Sequence, residues 1–198
     1  MRLFVAIELS DRARRAIGDA QDRLRASFDR RGVGAPRWVR PEHMHLTLAF
    51  LGEVGDTLKE AVVEVMERPI KQEPFQVVFG GLGLFPPAGA PRVLWLGLEE
   101  GTPSVITLQR EVTRRVTELG IPLEQRTFHP HLTLARWRAA RPSDGRHALD
   151  ERVETVARLQ VTGVALIESR LSSQGSSYTS LCEALLSGNH RPPVQFQP

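Results

Sequence analysis

Four of the six histidines lie in two copies of almost the same hexapeptide, HMHLTL at residues 43–48 and HPHLTL at residues 129–134. The shared core, His-Leu-Thr-Leu, occurs once in each half of the chain. An imidazole that ionises at about pH 6.5 can accept or donate a proton at neutral pH. A threonine hydroxyl can donate a hydrogen bond to an anionic oxygen. Two such pairs together could perform general acid and base catalysis on an anionic substrate.

Both motifs have the alternation of a β-strand with one buried face. Because successive strand side chains point to opposite faces, His45 shares a face with Thr47, and His131 shares one with Thr133. The leucines face the other way, toward a core. An ordinary amphipathic strand accounts for one copy, but packing requires only apolar alternation and does not demand the same polar pair twice. The repetition therefore indicates a catalytic site to which each half contributes one histidine and one threonine.

Metal binding is the main alternative for these histidines. Both copies contain His-x-His, formed by His43 with His45 and by His129 with His131. Pro130 lacks an N–H and biases His129 toward an extended conformation before the strand, which disfavours four histidines as ligands. No cysteine or carboxylate occupies a matching position to complete a catalytic zinc set. We therefore predict no metal.

Arginine is concentrated around the second motif. The chain contains 26 lysines and arginines, of which only Lys59 and Lys71 are lysines. Codon bias explains much of this, but the distribution is uneven. Between residues 125 and 148 a single acid, Asp144, accompanies a group of arginines: Arg126, Arg136, Arg138, Arg141 and Arg146. A guanidinium binds phosphate oxygens bidentately, so a basic patch beside a repeated histidine motif indicates an anionic ligand.

The rest of the chain predicts helices and strands in each half. The first helix has Ser10 as its N-cap and ends before Gly32, Asp56 is predicted to cap the second helix, and Val105–Leu119 form the third. Strands are predicted at residues 3–9, 45–52, 75–85, 92–100, 131–137 and 153–168, with a closing hairpin around Gln174 and Gly175.

These elements predict an α+β fold. We expect one bilobal domain over residues 1–186, made of two pseudo-symmetric lobes whose mainly antiparallel sheets face a central groove while helices pack outside. A Pro-rich C-terminal tail is predicted for residues 187–198. No apolar run approaches the roughly 20 residues of a membrane span, and Cys182 is the single cysteine. We therefore expect a cytoplasmic protein that does not enter membranes and is a monomer.

The sequence resembles the two-histidine (2H) phosphoesterase superfamily, and within it the bacterial and archaeal RNA 2′,3′-cyclic phosphodiesterases, also called 2′-5′ RNA ligases. The likeness covers nearly the whole chain and rests on RLFVAIEL, HLTLAFLGE, GLGLFPPAGAPRVLWLGLE, FHPHLTLAR and LIESRLSSQGSSYTSL. It implies a bilobal fold, a positively charged cleft, no cofactor, and metal-independent hydrolysis of an RNA-terminal 2′,3′-cyclic phosphodiester to a 2′-phosphomonoester. The implied partner is RNA with that end, or a small 2′,3′-cyclic nucleotide.

The resemblance also implies roles for single residues. The motif histidines of the family correspond to His45 and His131, its threonines to Thr47 and Thr133, and its phosphate-binding arginine to Arg136. It implies His131 as the proton acceptor and His45 as the proton donor. The arginine cluster beside His131 favours the same division, since it would hold the phosphate and an attacking water there.

Two alternative functions remain open. The same site could join a 5′-hydroxyl to the cyclic phosphate as a 2′-5′ link, although water at about 55 M competes unless it is excluded. The groove could also bind RNA ends without catalysis, but binding alone would favour arginine and lysine over neutral imidazoles. Candidates for stacking on the base are Phe4, Trp38, Phe50 and Phe128. Trp38 precedes the first motif and is expected to hold the nucleoside near His45.

Overall fold

The computed structural model describes residues 1–124, 126–151, 153–172 and 175–188. Its elements follow in chain order: β1 Arg2–Glu8, α1 Asp11–Arg31, β2 Arg37–Trp38, β3 His45–Glu53, α2 Asp56–Glu67, β4 Phe75–Phe85, β5 Val93–Glu100, α3 Thr102–Thr117, β6 Leu132–Arg136, α4 Pro142–Leu149, β7 Ala157–Val161, β8 Gly163–Ser172 and β9 Gly175–Leu185. A 3₁₀ turn, Pro41–His43, precedes β3. Within the described ranges, no helix has the length and apolar character that a membrane crossing requires.

The strands form one antiparallel sheet whose order is symmetric about its centre. Outward from the centre, the first lobe contains β3, β1, β8 and β9, and the second contains β6, β5, β4 and β7, while the short β2 pairs with β6. At the centre, Leu46 of β3 pairs with Leu132 of β6. The predicted α+β fold with two pseudo-symmetric lobes is confirmed. The sheets of the two lobes join at the Leu46–Leu132 pair into one continuous sheet.

The helices cover one face of the sheet. In the first lobe α2 packs on β8 and β9 and α3 packs on β3; in the second lobe α4 packs on β4 and α1 packs on β7. Each HLTL strand contributes its leucines to the core beneath these helices, where Leu46 and Leu132 are fully buried. The opposite face carries a small apolar cluster, formed by Phe4, Ala6, Ala165 and Ile167. This opposite face of the sheet lines the groove.

The first helix follows its sequence signals closely. The Ser10 side chain accepts a hydrogen bond from the Ala13 N–H at 3.3 Å, and Gly32 ends the helix with φ 62°, a conformation that glycine adopts without strain. The second helix differs slightly from the prediction. Asp56 is its first residue rather than its cap, because the extended backbone of Gly55 occupies the cap position.

The sequence pattern failed in two other places. Residues 153–168 were predicted as one strand, but the chain leaves the ladder at Thr162 and separates β7 from β8. Helix α4 was not predicted, since it is short and polar; it begins at Pro142, and the Asp144 carboxylate accepts a hydrogen bond from the Arg141 N–H at 2.8 Å. Gln174 of the closing hairpin, and all but residues 187 and 188 of the predicted tail, lie outside the described residues.

Candidate active site

The pairing of Leu46 with Leu132 brings the two motifs together at the centre of the groove. In an antiparallel register, this pair places position 45 opposite 133 and position 47 opposite 131. Each histidine therefore lies across from the threonine of the other motif, and the two histidines occupy diagonal corners. All four side chains line one cavity of ≈ 430 Å³, together with Arg136. The structure thus brings together every site residue that the sequence predicted.

A β-bulge follows the threonine in each motif. On β6, Thr133 and Ala135 pair with consecutive residues of β5, and Leu134 between them has no partner on that strand. On β3, Thr47 and Ala49 pair with consecutive residues of β1, and Leu48 between them has no partner on that strand. A bulge inserts one extra residue and reverses the alternation beyond it. The leucine and alanine are consequently both buried in each lobe, and the next side chain returns to the groove face.

This returning position differs between the lobes, and it breaks their symmetry. In the second lobe it is Arg136, whose guanidinium lines the cavity. In the first lobe it is Phe50, which is 67% exposed and lines the same cavity. The groove therefore has a cationic wall on the lobe of His131 and an aromatic wall on the lobe of His45.

Arg136 and its neighbour Arg37 form the cationic wall. The two residues are cross-strand partners on β6 and β2, and both are exposed. Among the described residues, no carboxylate lies within ion-pair distance of either guanidinium. The charge of Arg136 lowers the pKa of both His45 and His131. Arg136 is thus electrostatically coupled to both imidazoles, and its charge is available to an anion.

The two imidazoles are oriented in the same way. Nδ1 of His45 lies 2.8 Å from the carbonyl oxygen of His43, and Nδ1 of His131 lies 2.7 Å from that of His129. A carbonyl only accepts, so Nδ1 carries the proton and donates in both cases. Nε2 of each neutral ring is then left as the proton acceptor. The residue two positions before each catalytic candidate orients the ring through its backbone carbonyl. The sequence did not predict this hydrogen bond, because any side chain at that position would allow it.

Burial lowers the pKa of both imidazoles. The pKa of His45 falls from 6.5 to about 4, chiefly because the ring is withdrawn from water; its hydrogen bond to His43 opposes the shift. The pKa of His131 is also lowered by burial, with Arg136 acting in the same direction. Both rings are therefore mainly neutral at pH 7, and an anion beside His45 would favour its protonated form.

Aromatic rings surround His45 and account for its burial. Phe4 stacks on the His45 ring at 4.7 Å between centroids, and Tyr178 meets it edge-on at 5.4 Å. Tyr178 is 37% exposed on β9 and lines the cavity. Sequence reasoning did not single out Tyr178, and the available signal was weak: it is the only tyrosine of the chain, within a polar strand.

The structure divides the four predicted stacking candidates. Phe4 and Phe50 lie on the groove face. Trp38 and Phe128 pack against the core beneath the helices, and the Trp38 ring lies 5.5 Å from that of Phe28. The prediction for Trp38 is therefore wrong. Its cross-strand partner is Ala135, a core residue, and cross-strand partners share a face.

The described residues contain no group of three or more His, Cys, Asp or Glu side chains that could hold a metal ion. His43 and His45 lie near one another at the groove, but Nδ1 of His45 is engaged by the His43 carbonyl. The His-x-His pairs thus form no larger ligand set in this part of the chain.

Comparison with known proteins identifies the family. The family model described as the 2′-5′ RNA ligase superfamily matches residues 9–172. The chain belongs to the 2′-5′ RNA ligase superfamily. It is 34% identical over 195 residues to the RNA 2′,3′-cyclic phosphodiesterase of Aquifex aeolicus, covering 95% of this chain and 98% of that protein. It is 33% identical over 182 residues to the Archaeoglobus fulgidus protein of the same name, covering 91% of this chain and 98% of the relative.

Solved structures of this superfamily have the same fold. The TT0787 protein of Thermus thermophilus aligns with a TM-score of 0.74 at 32% identity, over 96% of this chain and 100% of that one. E. coli LigT complexed with 3′-AMP aligns with a TM-score of 0.75 at 28% identity, over 94% of this chain and 98% of that one.

Proposed function

We propose that this protein hydrolyses RNA-terminal 2′,3′-cyclic phosphodiesters to 2′-phosphomonoesters by metal-independent acid and base catalysis. One observation carries the proposal: two imidazoles on diagonal corners of one cavity, each with Nδ1 held by a carbonyl, leave Nε2 as the nitrogen free for proton transfer. The names of the relatives and the nucleotide complex of LigT support this substrate class.

The reaction needs one proton acceptor and one proton donor on opposite sides of the phosphorus. Nε2 of His131 takes a proton from water as the water oxygen attacks phosphorus. His45 gives a proton to the ribose 3′-oxygen as the P–O3′ bond breaks, which leaves the phosphate on the 2′-oxygen. The diagonal placement of the two rings suits an in-line displacement, because the attacking and leaving oxygens lie on opposite sides of the phosphate.

The two walls of the groove support this division of roles. Phe4, Phe50 and Tyr178 lie on the His45 side and offer surfaces for the nucleoside, which brings the ribose oxygens toward His45. Arg136 lies on the His131 side and can offset the negative charge that develops on the phosphate oxygens. Thr47 and Thr133 occupy the other two corners of the cavity and can each donate a hydroxyl hydrogen bond to a phosphate oxygen.

Turnover of 2′,3′-cyclic AMP in the presence of EDTA tests this proposal. We expect full activity in the chelator, since the proton transfers use imidazoles alone. Loss of activity in EDTA that a divalent ion restores would contradict the metal-independent mechanism. Complete inactivity with and without added metal would contradict the function itself.

Gln21 holds the bulge that turns Arg136 into the groove. This glutamine of α1 is 2% exposed, and its Nε2 donates to the Leu134 carbonyl at 3.0 Å and to the Val39 carbonyl at 2.8 Å. Leu134 is the extra residue of the bulge. We expect Gln21→Leu to lower kcat/KM by about tenfold, because the loss of this clamp lets the guanidinium move.

A double-mutant cycle with Arg136 separates this positioning effect from general destabilisation. In an Arg136→Ala background, Gln21→Leu should have little further effect on kcat/KM. The control is Gln109→Leu, since Gln109 donates to Thr113 within α3. Equal losses from Gln21→Leu with and without Arg136 would show that the clamp does not act through the arginine.

Phosphate binding should raise the pKa of His45. Burial lowers this pKa to about 4, and a bound anion favours the imidazolium. We expect NMR titration to give a His45 pKa of about 5 or higher with 2′-AMP bound. Binding then takes up a proton, so the affinity for 2′-AMP should fall as pH rises through that value. Adenosine, which carries no phosphate, is the control. The same His45 pKa with 2′-AMP as with adenosine would contradict the placement of phosphate beside His45.

A further inference from the structure

A second aromatic surface lies beside His131, outside the 430 Å³ cavity. The ring of Phe85 on β4 meets His131 edge-on at 5.0 Å, and the ring of Trp95 on β5 lies 6.1 Å from His131. The two rings are 5.3 Å apart, and both side chains are half-buried. We call these two residues the Trp95–Phe85 surface. The mechanism of hydrolysis uses neither of them.

Glycines allow the indole to lie flat on the sheet. A Cβ atom at Gly83 would come within 2.0 Å of Cζ2 of Trp95, and one at Gly97 within 3.2 Å of Cζ3. The indole therefore occupies the space above β4 that a side chain at position 83 would fill. One face of the ring is against the sheet, and the half-buried side chain keeps part of the indole exposed. A flat ring in this orientation is the kind of surface on which nucleobases stack.

The indole N–H lacks a hydrogen-bond partner among the described residues. Its Nε1 atom is buried. A buried donor that lacks a partner is costly unless a ligand or water accepts from it. A nucleobase or ribose acceptor reaches this N–H only if neighbouring side chains shift, so the exposed part of the ring is what the surface offers to a nucleoside.

We propose that the Trp95–Phe85 surface is an acceptor subsite, which binds the nucleoside at a 5′-hydroxyl RNA end. The inference rests on the proposed function, with His131 as the proton acceptor. The attacking oxygen approaches phosphorus on the His131 side, opposite the nucleoside whose 3′-oxygen leaves beside His45. A water molecule needs no aromatic surface there, whereas a nucleoside that delivers its 5′-hydroxyl does.

The reaction at this subsite balances with the same two proton transfers. The 5′-oxygen attacks phosphorus and gives its proton to Nε2 of His131. The P–O5′ bond forms, the P–O3′ bond breaks, and the 3′-oxygen takes a proton from His45. The product is a 2′-5′ phosphodiester with a free 3′-hydroxyl. No cofactor, oxidant or reductant is consumed.

Capture of 2′,3′-cyclic AMP by adenosine tests this subsite. The measured quantity is the ratio of adenylyl-(2′→5′)-adenosine to hydrolysed 2′-AMP, which does not depend on the amount of folded enzyme. We expect the initial rate of capture, measured alongside this ratio, to saturate as adenosine rises, because adenosine fills a site. Methanol, a hydroxyl nucleophile without a base, should give a capture rate that rises linearly.

Substitutions locate the site. Trp95→Leu should lower the adenosine capture ratio by about tenfold or more, the effect of one lost stacking partner, without lowering the methanol ratio. Phe85→Leu provides a second variant should Trp95→Leu fail to fold, and it should act in the same direction. Trp38→Leu is the matched control, since Trp38 packs in the core against Phe28; its capture ratio should equal that of the wild type.

The outcomes separate this inference from the proposed function. A linear response to adenosine, or an unchanged capture ratio in Trp95→Leu or Phe85→Leu, would overturn the acceptor subsite while hydrolysis stands. Absence of both hydrolysis and capture would instead overturn the proposed function. Saturable capture that depends on Trp95 supports the subsite.

Discussion

Alanine at either His45 or His131 is expected to slow the hydrolysis of 2′,3′-cyclic AMP by about 10²–10⁴-fold, the usual contribution of one general acid or base. Each ring supplies the proton-transferring Nε2 at its corner of the cavity, and the threonine opposite it cannot replace an imidazole as a proton donor or acceptor. The double variant should lose much less than the product of the two single losses, because residues that act as a unit are not additive.

A neighbouring histidine gives a matched control for this result. His129→Ala removes an imidazole two residues from His131 but keeps the carbonyl that orients it. The side chain of His129 is exposed and does not line the cavity, so we expect near wild-type activity. Steady-state rates of the four variants check the prediction. Wild-type activity in His45→Ala would end the two-histidine account.

A substrate with an activated leaving group should rescue His45→Ala but not His131→Ala. 4-Nitrophenolate leaves without protonation, so 3′-deoxyadenosine 2′-(4-nitrophenyl phosphate) removes the need for a general acid. The attacking water still needs a general base. We therefore expect His45→Ala to cleave this ester at close to the wild-type rate, while His131→Ala remains about 10²–10⁴-fold slower.

Release of the coloured nitrophenolate measures both rates directly. The reverse pattern, rescue of His131→Ala alone, would exchange the two roles and place the nucleoside on the Arg136 side. Equal defects in both variants would show that neither histidine acts specifically as the acid. The asymmetry between Phe50 and Arg136 predicts the first pattern.

The sequence predicted which faces the motif side chains occupy, but it did not predict the bulge after each threonine. Strict alternation from His131 would place Arg136 on the core face, since their positions differ by an odd number. The bulge at Leu134 restores Arg136 to the groove. The only local signal is the pair of consecutive apolar residues in HLTLA, which a half-buried strand without a bulge would not contain. The family resemblance predicted Arg136 at this site without that geometry, and in the structure Arg136 lines the cavity.

Trp38 illustrates the opposite error. Its nearness to His45 along the chain suggested that it would stack on the nucleoside. Residues 37 and 38 instead form β2, which pairs with β6, so Trp38 follows Ala135 into the core while Arg37 accompanies Arg136. Pairing between strands that are distant in sequence decides the face, and a two-residue strand has no periodicity of its own to reveal it. The exposed Phe50 holds the position in the first lobe that Arg136 holds in the second.

Phosphorus NMR of the product formed from 2′,3′-cyclic AMP in EDTA tests the central claim most directly. Proton donation from His45 to the 3′-oxygen opens the ring on that side, so the account predicts a single new resonance, that of 2′-AMP. Formation of 3′-AMP would contradict this account, because the 2′-oxygen would then have been the leaving group.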